Sequence, residues 1–86
     1  MAQKIDPYFP IMFTGPKELG RWIKKLRKYR GMTQYDVSQY TNLSVKFISN
    51  VENGKENTHL EKVLFILRVL DIGVQLTDLR RRGSGA

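Results

Sequence analysis

The stretch TQYDVSQYTNLSVKFISNVENG, residues 33–54, decides the fold of this 86-residue chain. Thr33 and Ser44 are strong N-cap residues, because a hydroxyl oxygen can accept a hydrogen bond from an unpaired backbone N–H at a helix start. Asn42 lies between them and tolerates positive φ better than most non-glycine residues, which suits a tight turn. Gly54 is the residue type that most often follows the end of a helix. The stretch therefore predicts two short helices joined by a turn.

The second of these helices has two different sides. Helical spacing places Phe47, Ile48 and Val51 on one side, which we expect to be buried. The opposite side carries residues that stay open for contact: Val45, Lys46, Ser49 and Asn50. A helix, a tight turn and a second helix form the geometry that lays the second helix in the major groove of DNA.

This stretch resembles the helix-turn-helix of the Cro/XRE family of bacterial and phage regulators, whose pattern runs T-Q-x-x-L-A-x-x-x-G-[VL]-S-x-x-x-[IV]-S-x-x-E-x-G. The residues that fit are Thr33, Gln34, Val37, Leu43, Ser44, Ile48, Ser49, Glu52 and Gly54. Ser38 stands where a small Ala is usual, and Asn42 stands where a turn Gly is usual. A weaker match extends from about Pro16 to Leu79. The resemblance implies an all-α, lambda-repressor-like domain of four to five helices.

Composition narrows the class of protein further. Lys and Arg number 15 against 8 Asp and Glu, and the net charge of +7 favours a polyanionic partner such as DNA. The chain has no cysteine, which excludes a disulfide-stapled domain and a zinc site built on cysteines. A chain this short is expected to form one domain with a small core, which a dimer partner would help to stabilise.

The sequence does not indicate an enzyme, a cofactor or a membrane partner. His59 is the only histidine, and the residues that a metal site or a Ser–His–Asp triad needs are not placed beside it by any motif. We find no Gly-rich phosphate loop, no apolar run of the ~18 residues that span a membrane, and no signal peptide. We expect a cytoplasmic, nucleoid-associated protein without catalytic residues, cofactors or metal ions.

Residues 1–15 predict an extended N-terminal arm. Pro7 and Pro10 exclude a helix and favour extended backbone in the residues before them. The arm is rich in large apolar side chains, and exposed apolar patches often mark sites that bind a partner protein. Its candidate partner-binding residues are Tyr8, Phe9 and Phe13. The sequence leaves open whether these side chains lie on the core of their own domain instead.

Residues 16–29 predict a helix with one apolar side and one basic side. Pro16 suits the first helical position, and Gly31 suits the position after the end. The apolar stripe consists of Leu19, Trp22, Ile23 and Leu26. The other side carries Arg21, Lys24, Lys25, Arg27, Lys28 and Arg30. Like charges on one helix repel, so the sequence leaves open whether this side is solvated or contacts DNA phosphates.

Residues 59–70 predict a fourth helix, with Thr58 as its cap and Glu61 completing a capping box. Apolar residues cover most of its circumference, which is typical of a helix buried on more than one side. We expect one side to face the core of its own domain. A second subunit or the N-terminal arm would cover the other.

The alternation of residue types after Gly73 predicts a short C-terminal β-strand. One strand cannot satisfy its own backbone groups, so we expect it to pair with the same strand of a second chain or with the arm. The alternative is a frayed tail. The residues assigned to this dimer strand are Val74, Gln75, Leu76 and Thr77. Residues 80–86 predict a disordered basic tail, which leaves residues 16–79 as the DNA-binding domain with its dimerising strand.

We predict that the second helix of the helix-turn-helix reads bases through its outward side chains. Lys46 can donate to guanine O6 and N7, and Asn50 can pair with adenine N6 and N7. Val45 offers a methyl surface to the thymine methyl group, and Ser49 lies on the same side. Two copies in a dimer would read a palindromic operator, with the recognition helices about 34 Å apart.

Other residues are candidates for the DNA backbone, where contacts position the protein without reading sequence. The resemblance to the family assigns this role to Gln34, Asn53 and Lys55. Ser44 is expected to act as a cap whose backbone N–H meets a phosphate. Lys17 and Arg21 are further candidates, with solvation as their alternative.

The closing pattern, over residues 61–76, is similar to the HipB branch of the Cro/XRE family. This resemblance implies an antitoxin that binds a HipA-like kinase toxin, represses its own operon and forms a homodimer through the C-terminal strand. The C-terminal extension that is usual in that branch is short here, so the arm is a candidate for the toxin contact. Two alternatives stay open: a stand-alone repressor without a toxin, and an interaction adaptor that has lost DNA binding.

Overall fold

The computed structural model describes residues 9–55 and 59–80. Within these ranges it contains four α-helices: α1 (Pro16–Tyr29), α2 (Gln34–Thr41), α3 (Val45–Glu52) and α4 (Leu60–Val69). Helix α3 packs against α1 and α2, and α2 packs against α4. The prediction of an all-α helix-turn-helix domain is confirmed, at the lower end of the expected helix number.

Hydroxyl caps start both helices of the helix-turn-helix. The Thr33 hydroxyl accepts a hydrogen bond from the Asp36 backbone N–H at 3.0 Å, and the Asp36 carboxylate accepts one from the Thr33 N–H at 2.8 Å. This reciprocal capping box satisfies two backbone donors that the helix itself cannot pair. The Ser44 hydroxyl accepts from the Phe47 N–H at 2.9 Å. Both hydroxyl caps are as the sequence predicts, and the part played by Asp36 is a finding of the structure.

The turn between α2 and α3 is held by side chains as well as by backbone. Asn42 takes the left-handed conformation, with φ of 64°, as predicted. The Ser38 hydroxyl donates to the Leu43 carbonyl at 2.6 Å, and the Thr41 hydroxyl accepts from the Leu43 N–H at 3.2 Å. The serine and asparagine that depart from the family pattern are therefore accommodated, and the serine adds a hydrogen bond that alanine cannot make.

The core is formed by apolar residues from all four helices. Those that are buried are Ile23, Leu26, Val37, Ile48, Val51, Val63, Ile66, Leu67 and Leu70. The expectation that Phe47 would be buried with them is only partly right. Its ring is half-buried at the edge of the core, and the Lys62 Nζ lies 5.5 Å from its centroid. The ammonium of Lys62 is thereby placed over an aromatic face, which is a favourable position for a cation.

Helices α1 and α3 approach closely where Gly20 faces the end of α3. A Cβ on Gly20 would stand 2.3 Å from the Val51 carbonyl oxygen and 2.7 Å from the Glu52 carbonyl oxygen. Gly54, with φ of +72°, lies against the start of α1, where an added Cβ would stand 2.5 Å from the Lys17 Cα. The two glycines therefore allow the first turns of α1 to pack directly on the end of α3.

The basic side of α1 divides into two groups, and this corrects the expectation of one open basic face. Arg27 is buried, and Arg30 is half-buried, with its Nε donating to the Leu70 carbonyl at 2.9 Å. The remaining four residues are exposed: Arg21, Lys24, Lys25 and Lys28. The reason is geometric, because Arg27 lies one turn after Ile23 and faces the core side of the helix.

Helix α4 keeps an uncovered apolar side. Leu60, Leu64 and Phe65 are 69%, 41% and 43% exposed. The described part of the arm does not cover them, since residues 9–13 lie beside α1 and the end of α4. A second subunit stays the predicted cover for this side. The proposed Thr58 cap lies outside the described residues, and His59 occupies the N-cap position without a side-chain hydrogen bond.

The segment after α4 is not paired in the single chain. Asp71, with φ of 66°, turns the chain after the end of α4, and no β-ladder forms within the two described ranges. Because a strand needs a partner for its backbone groups, the single chain does not test the C-terminal strand or the dimer, and both stay predictions. Residues 1–8 and 81–86, and with them Tyr8 and nearly all of the predicted basic tail, lie outside the described ranges.

Two further features are absent from the part of the chain that the structure describes. No helix there has both the length and the apolar character required to cross a membrane. No three side chains of His, Cys, Asp or Glu come together there in a group that would hold a metal ion.

The substitution Gly20→Ala tests the close packing of α1 on α3. Helix propensity alone favours Ala over Gly by about 1 kcal/mol. The new Cβ would meet backbone oxygens of α3, so we expect the free energy of unfolding to fall by about 1–3 kcal/mol instead. Gly73→Ala is the control, because an added Cβ there meets nothing within 4 Å, and its effect should stay within about 0.5 kcal/mol. Urea unfolding followed by circular dichroism measures both. A Gly20→Ala chain as stable as the wild type would contradict the close approach.

Candidate nucleic-acid interface

Helix α3 presents an open side next to its N-terminal cap. Val45 and Lys46 are exposed, and Ser49 and Asn50 are half-buried. Ile48 and Val51 face the core, so the helix cannot rotate without exposing apolar surface to water. The four residues predicted to read bases therefore lie together on one exposed side of one fixed helix.

Ser44 has a defined structural role at the start of α3. Its hydroxyl is occupied by the Phe47 N–H, which leaves the unpaired backbone donors of the first turn to other partners. Helix N-termini favour anions, because these donors and the helix dipole both present positive charge there. The Ser44 cap is therefore present as predicted, and its phosphate contact stays a prediction.

A buried ion pair holds the end of α3. Arg27 Nε lies 2.6 Å from Glu52 Oε2, and the side chains are 7% and 2% exposed. Arg27 Nη2 donates to Glu52 Oε1 at 3.0 Å, and Nη1 donates to the Met32 carbonyl at 2.8 Å. The two parallel bonds form the bidentate geometry that gives an Arg–carboxylate pair both strength and direction. Glu52 therefore has a structural role, with Arg27 as its partner.

Gln34 is part of the same network. It is half-buried, and its Nε2 donates to Glu52 Oε1 at 3.0 Å. Its side chain therefore points toward α3 rather than freely into solvent. Gln34 is also the first residue of α2, where its backbone N–H is among the unpaired donors of that helix. Gln34 thus lies at a helix N-terminus with its side chain oriented by Glu52, and its phosphate contact stays a prediction.

The end of α3 brings together three of the predicted DNA-backbone residues. Asn53 and Lys55 are exposed on either side of Gly54. Lys17 is exposed and its backbone lies against Gly54. Arg21 follows one turn later on α1, also exposed. Residues from the start and the middle of the domain sequence therefore form one positively charged region.

The predicted partner-binding and dimer residues lie elsewhere and adjoin each other. Phe9 and Phe13 are 39% and 45% exposed. Together with α1 and the segment after α4, the arm lines an open groove of about 590 Å³. Val74, Gln75 and Thr77 border this groove, whereas Leu76 is 98% exposed. The arm was one of the two partners expected for the predicted strand, and the two segments are neighbours here, although no β-ladder joins them within the described residues.

The sequence prediction for Arg27 was wrong. Arg27 was assigned to the exposed basic side of α1, but it is buried against Glu52. One signal in the sequence could have located it. Glu52 is the only acidic residue of α3 and follows Val51, a core position. A carboxylate beside the core needs a cation from another element, since an unpaired buried charge is costly.

Comparison with known proteins identifies the family. A family model described as helix-turn-helix matches residues 23–76, which is more than half of the chain. Antitoxin HipB of Escherichia coli O6:H1 is 31% identical over 71 residues, covering 83% of this chain and 76% of the relative. The chain belongs to the HipB-like branch of the Cro/XRE helix-turn-helix family. Antitoxin HipB of Escherichia coli K12 is 31% identical over 65 residues, covering 76% of this chain and 74% of the relative.

Solved structures of HipB resemble this HipB-like chain throughout the domain. A HipA–HipB–O2–O3 complex and a HipB–O4 20mer complex each contain a chain that matches it with a TM-score of 0.73 and 30% identity. Each match covers 78% of this chain and 94% of the other. The similarity therefore extends over nearly the whole of the HipB chain in those structures.

The substitution Glu52→Ala tests whether the buried ion pair supports the fold. It leaves the Arg27 charge buried without an anion, and breaking such a pair costs about 3–5 kcal/mol in the free energy of unfolding. Asp78→Ala is the control, because Asp78 pairs with an exposed Arg80 at 3.6 Å and such pairs contribute about 0–1 kcal/mol.

Urea or thermal unfolding measures both changes. Replacing both partners, Arg27→Met with Glu52→Leu, should cost less than Glu52→Ala, because no charge is then left buried. A Glu52→Ala chain no less stable than Asp78→Ala would contradict the role of the pair.

Proposed function

We propose that this HipB-like protein is a sequence-specific DNA-binding repressor, the antitoxin of an operon that also encodes a HipA-like kinase toxin. The observation that carries the proposal is the exposed side of α3, with Lys46 and Asn50 turned outward from a helix that the core and the Arg27–Glu52 pair hold in place. A rigid helix with polar side chains on its outer face is what major-groove reading requires.

In this proposal the outward residues of α3 contact the bases. The Lys46 ammonium donates to guanine O6 and N7, and the Asn50 amide pairs with N6 and N7 of adenine. Val45 contacts a thymine methyl group, and Ser49 supplies a hydroxyl that can serve as donor or acceptor. Asn50 is half-buried, which limits its side-chain freedom before DNA binds and reduces the entropy lost on contact.

Phosphate contacts position α3 in the groove. Gln34 and Ser44 stand at the N-termini of α2 and α3, where backbone N–H groups attract phosphates. Asn53, Lys55 and Lys17 form the positive region at the other end of α3, with Arg21 beside them. These contacts supply most of the salt-dependent affinity and none of the sequence preference.

A two-fold dimer places two copies of α3 on one operator. Two observations support this assembly: the uncovered apolar side of α4, and the unpaired segment at residues 74–77. Pairing of that segment with its symmetry mate would satisfy both sets of backbone groups. The operator is then a palindrome whose half-sites lie about 34 Å apart.

The kinase toxin is the second partner in the proposal. The relatives are named antitoxin HipB, and one similar structure holds HipB together with HipA. These names favour an antitoxin over a stand-alone repressor or an adaptor that has lost DNA binding. The arm, with Phe9 and Phe13 partly exposed beside the groove, is the proposed toxin contact. A repressor acts where its operator lies, so we propose that the protein acts in the cytoplasm at the nucleoid.

A pair of substitutions tests the assigned roles in DNA binding. Asn50→Ala removes a base contact, so it should relax specificity at one base position at a cost of about 1–3 kcal/mol. Lys55→Ala removes a phosphate contact, so it should weaken binding to all sequences alike. It should also reduce the slope of log K against log salt by about 1. Gel shifts on the promoter of the protein's own operon and on single-base variants of its operator measure both.

Arg80→Gln provides the control, because Arg80 is exposed after α4 and has no assigned DNA contact. It should leave the sequence preference unchanged. The proposal is rejected if the wild-type chain binds its own promoter no better than random DNA. If Asn50→Ala lowers the affinity for every sequence equally, the base-reading role of that residue is rejected.

The double substitution Phe9→Ala with Phe13→Ala tests the toxin contact. If the arm docks on the toxin, the affinity for the purified kinase should fall at least tenfold, while operator binding stays at the wild-type level. Tyr35→Ala with Tyr40→Ala is the control, because these aromatic residues of α2 are 62% and 70% exposed and lie outside the arm. Isothermal titration measures the affinity. Unchanged toxin binding after deletion of residues 1–13 would exclude the arm as the contact.

A further inference from the structure

A row of basic side chains runs along α1 on the side turned away from the core. Lys17, Arg21, Lys24 and Lys28 follow one another at steps of four, three and four residues, so they share one face of the helix. All four are exposed. The row is about 16 Å long at a rise of 1.5 Å per residue. We call these four residues the α1 basic strip.

The strip is not neutralised within the part of the chain that the structure describes. The two salt bridges found there lie elsewhere, one in the core and the other after α4. Glu18, the acidic residue of the first turn of α1, accepts 3.0 Å hydrogen bonds from the N–H and the hydroxyl of Thr14. Like charges three and four residues apart destabilise a helix, so an external anion would relieve a repulsion that the fold leaves in place.

Three strip residues converge on one open space. Arg21, Lys24 and Lys28 line a shallow groove of about 550 Å³ on the surface of α1, together with Lys25. The Lys25 Nζ lies 5.1 Å from the centroid of the Trp22 ring. Glu18 also lines this groove, so its four cations stand against one carboxylate, and the net positive charge that remains favours an anionic occupant over a neutral or cationic one.

The strip begins at the positive region beside the recognition helix. Lys17 lies against Gly54, and Gly54 stands between Asn53 and Lys55, the two phosphate contacts proposed for the end of α3. Gly20 brings the next turn of α1 against the last carbonyls of α3. The strip therefore extends the proposed phosphate-binding surface along α1, beyond the reach of α3 itself.

We propose that the α1 basic strip binds the phosphate backbone of duplex DNA that flanks the half-site read by α3. The inference rests on the proposed function, since a bound operator is what places flanking DNA beside α1. B-DNA carries one negative charge per ~1.7 Å of helix axis, so a strip of this length meets several phosphates. Contacts of this kind carry no base information, so they raise the affinity for every flanking sequence and make binding more sensitive to salt.

The test combines Lys24→Gln with Lys28→Gln in the full chain, because these two residues have no assigned contact within the half-site. Two operator duplexes are compared: a minimal one, and one extended by about ten base pairs, roughly one helical turn, of random sequence on each side. On the extended duplex, the slope of log K against log salt should be about 1.8 less negative than for the wild type, at about 0.9 per phosphate contact. On the minimal duplex the two slopes should agree.

Arg80→Gln with Arg82→Gln is the matched control, since it removes the same charge from positions outside α1 and outside the proposed dimer surface. It should keep the wild-type slope on both duplexes. The proposal is overturned if the Lys24/Lys28 variant keeps the wild-type slope on the extended duplex, or if the slope of the control changes by as much. A change of equal size on the minimal duplex would also overturn it, because the strip would then contact the half-site. Thermal unfolding checks that both variants are folded.

If the proposed function is wrong, the binding measurements give a different result. A wild-type chain that does not distinguish its operator from random DNA rejects that function, and the strip is then tested on a random-sequence duplex alone, where the same difference of about 1.8 is expected. A variant that keeps its DNA slope but loses binding to an RNA duplex of equal length would overturn the assignment to DNA.

Discussion

The buried pair of Arg27 and Glu52 is the interaction on which the rest of the structure depends. It joins the last turns of α1 and α3, and through Met32 and Gln34 it also holds the loop and the start of α2. Burial of two charges is tolerable only when their geometry is good and their remaining hydrogen-bonding groups are satisfied. The pair therefore fixes the arrangement of three helices in a domain whose apolar core is small.

Close backbone packing converts this arrangement into the proposed DNA-binding surface. Because Gly20 and Gly54 lack side chains, the first turns of α1 lie directly against the end of α3. This contact brings Lys17 beside Asn53 and Lys55, although more than thirty residues of chain separate them. Positive charge thus collects at the end of a helix whose apolar side is anchored in the core, and the outer side of α3 stays available for base edges.

Local signals predicted the helix-turn-helix well. The hydroxyls of Thr33 and Ser44 and the left-handed residue Asn42 act within a few residues of their own positions, so their effect can be read without knowing what packs nearby. The 3.6-residue spacing of apolar positions likewise identified Ile23, Leu26, Ile48 and Val51 as core. The recognition-helix residues followed from the same spacing, since the side opposite the core faces outward.

The partners of charged residues that lie far apart in the sequence could be identified only from the tertiary structure. Arg27 and Arg21 belong to the same basic run, and composition cannot tell that one is buried against Glu52 while the other stays exposed. The adjacency of the arm to the segment after α4, and the strip that leads from Lys17 along α1, depend in the same way on how the helices pack. Caps, turns and periodicity are properties of neighbouring residues, and the chain alone determines them. The partner of a charge is set by contacts between distant residues, which only the folded arrangement decides.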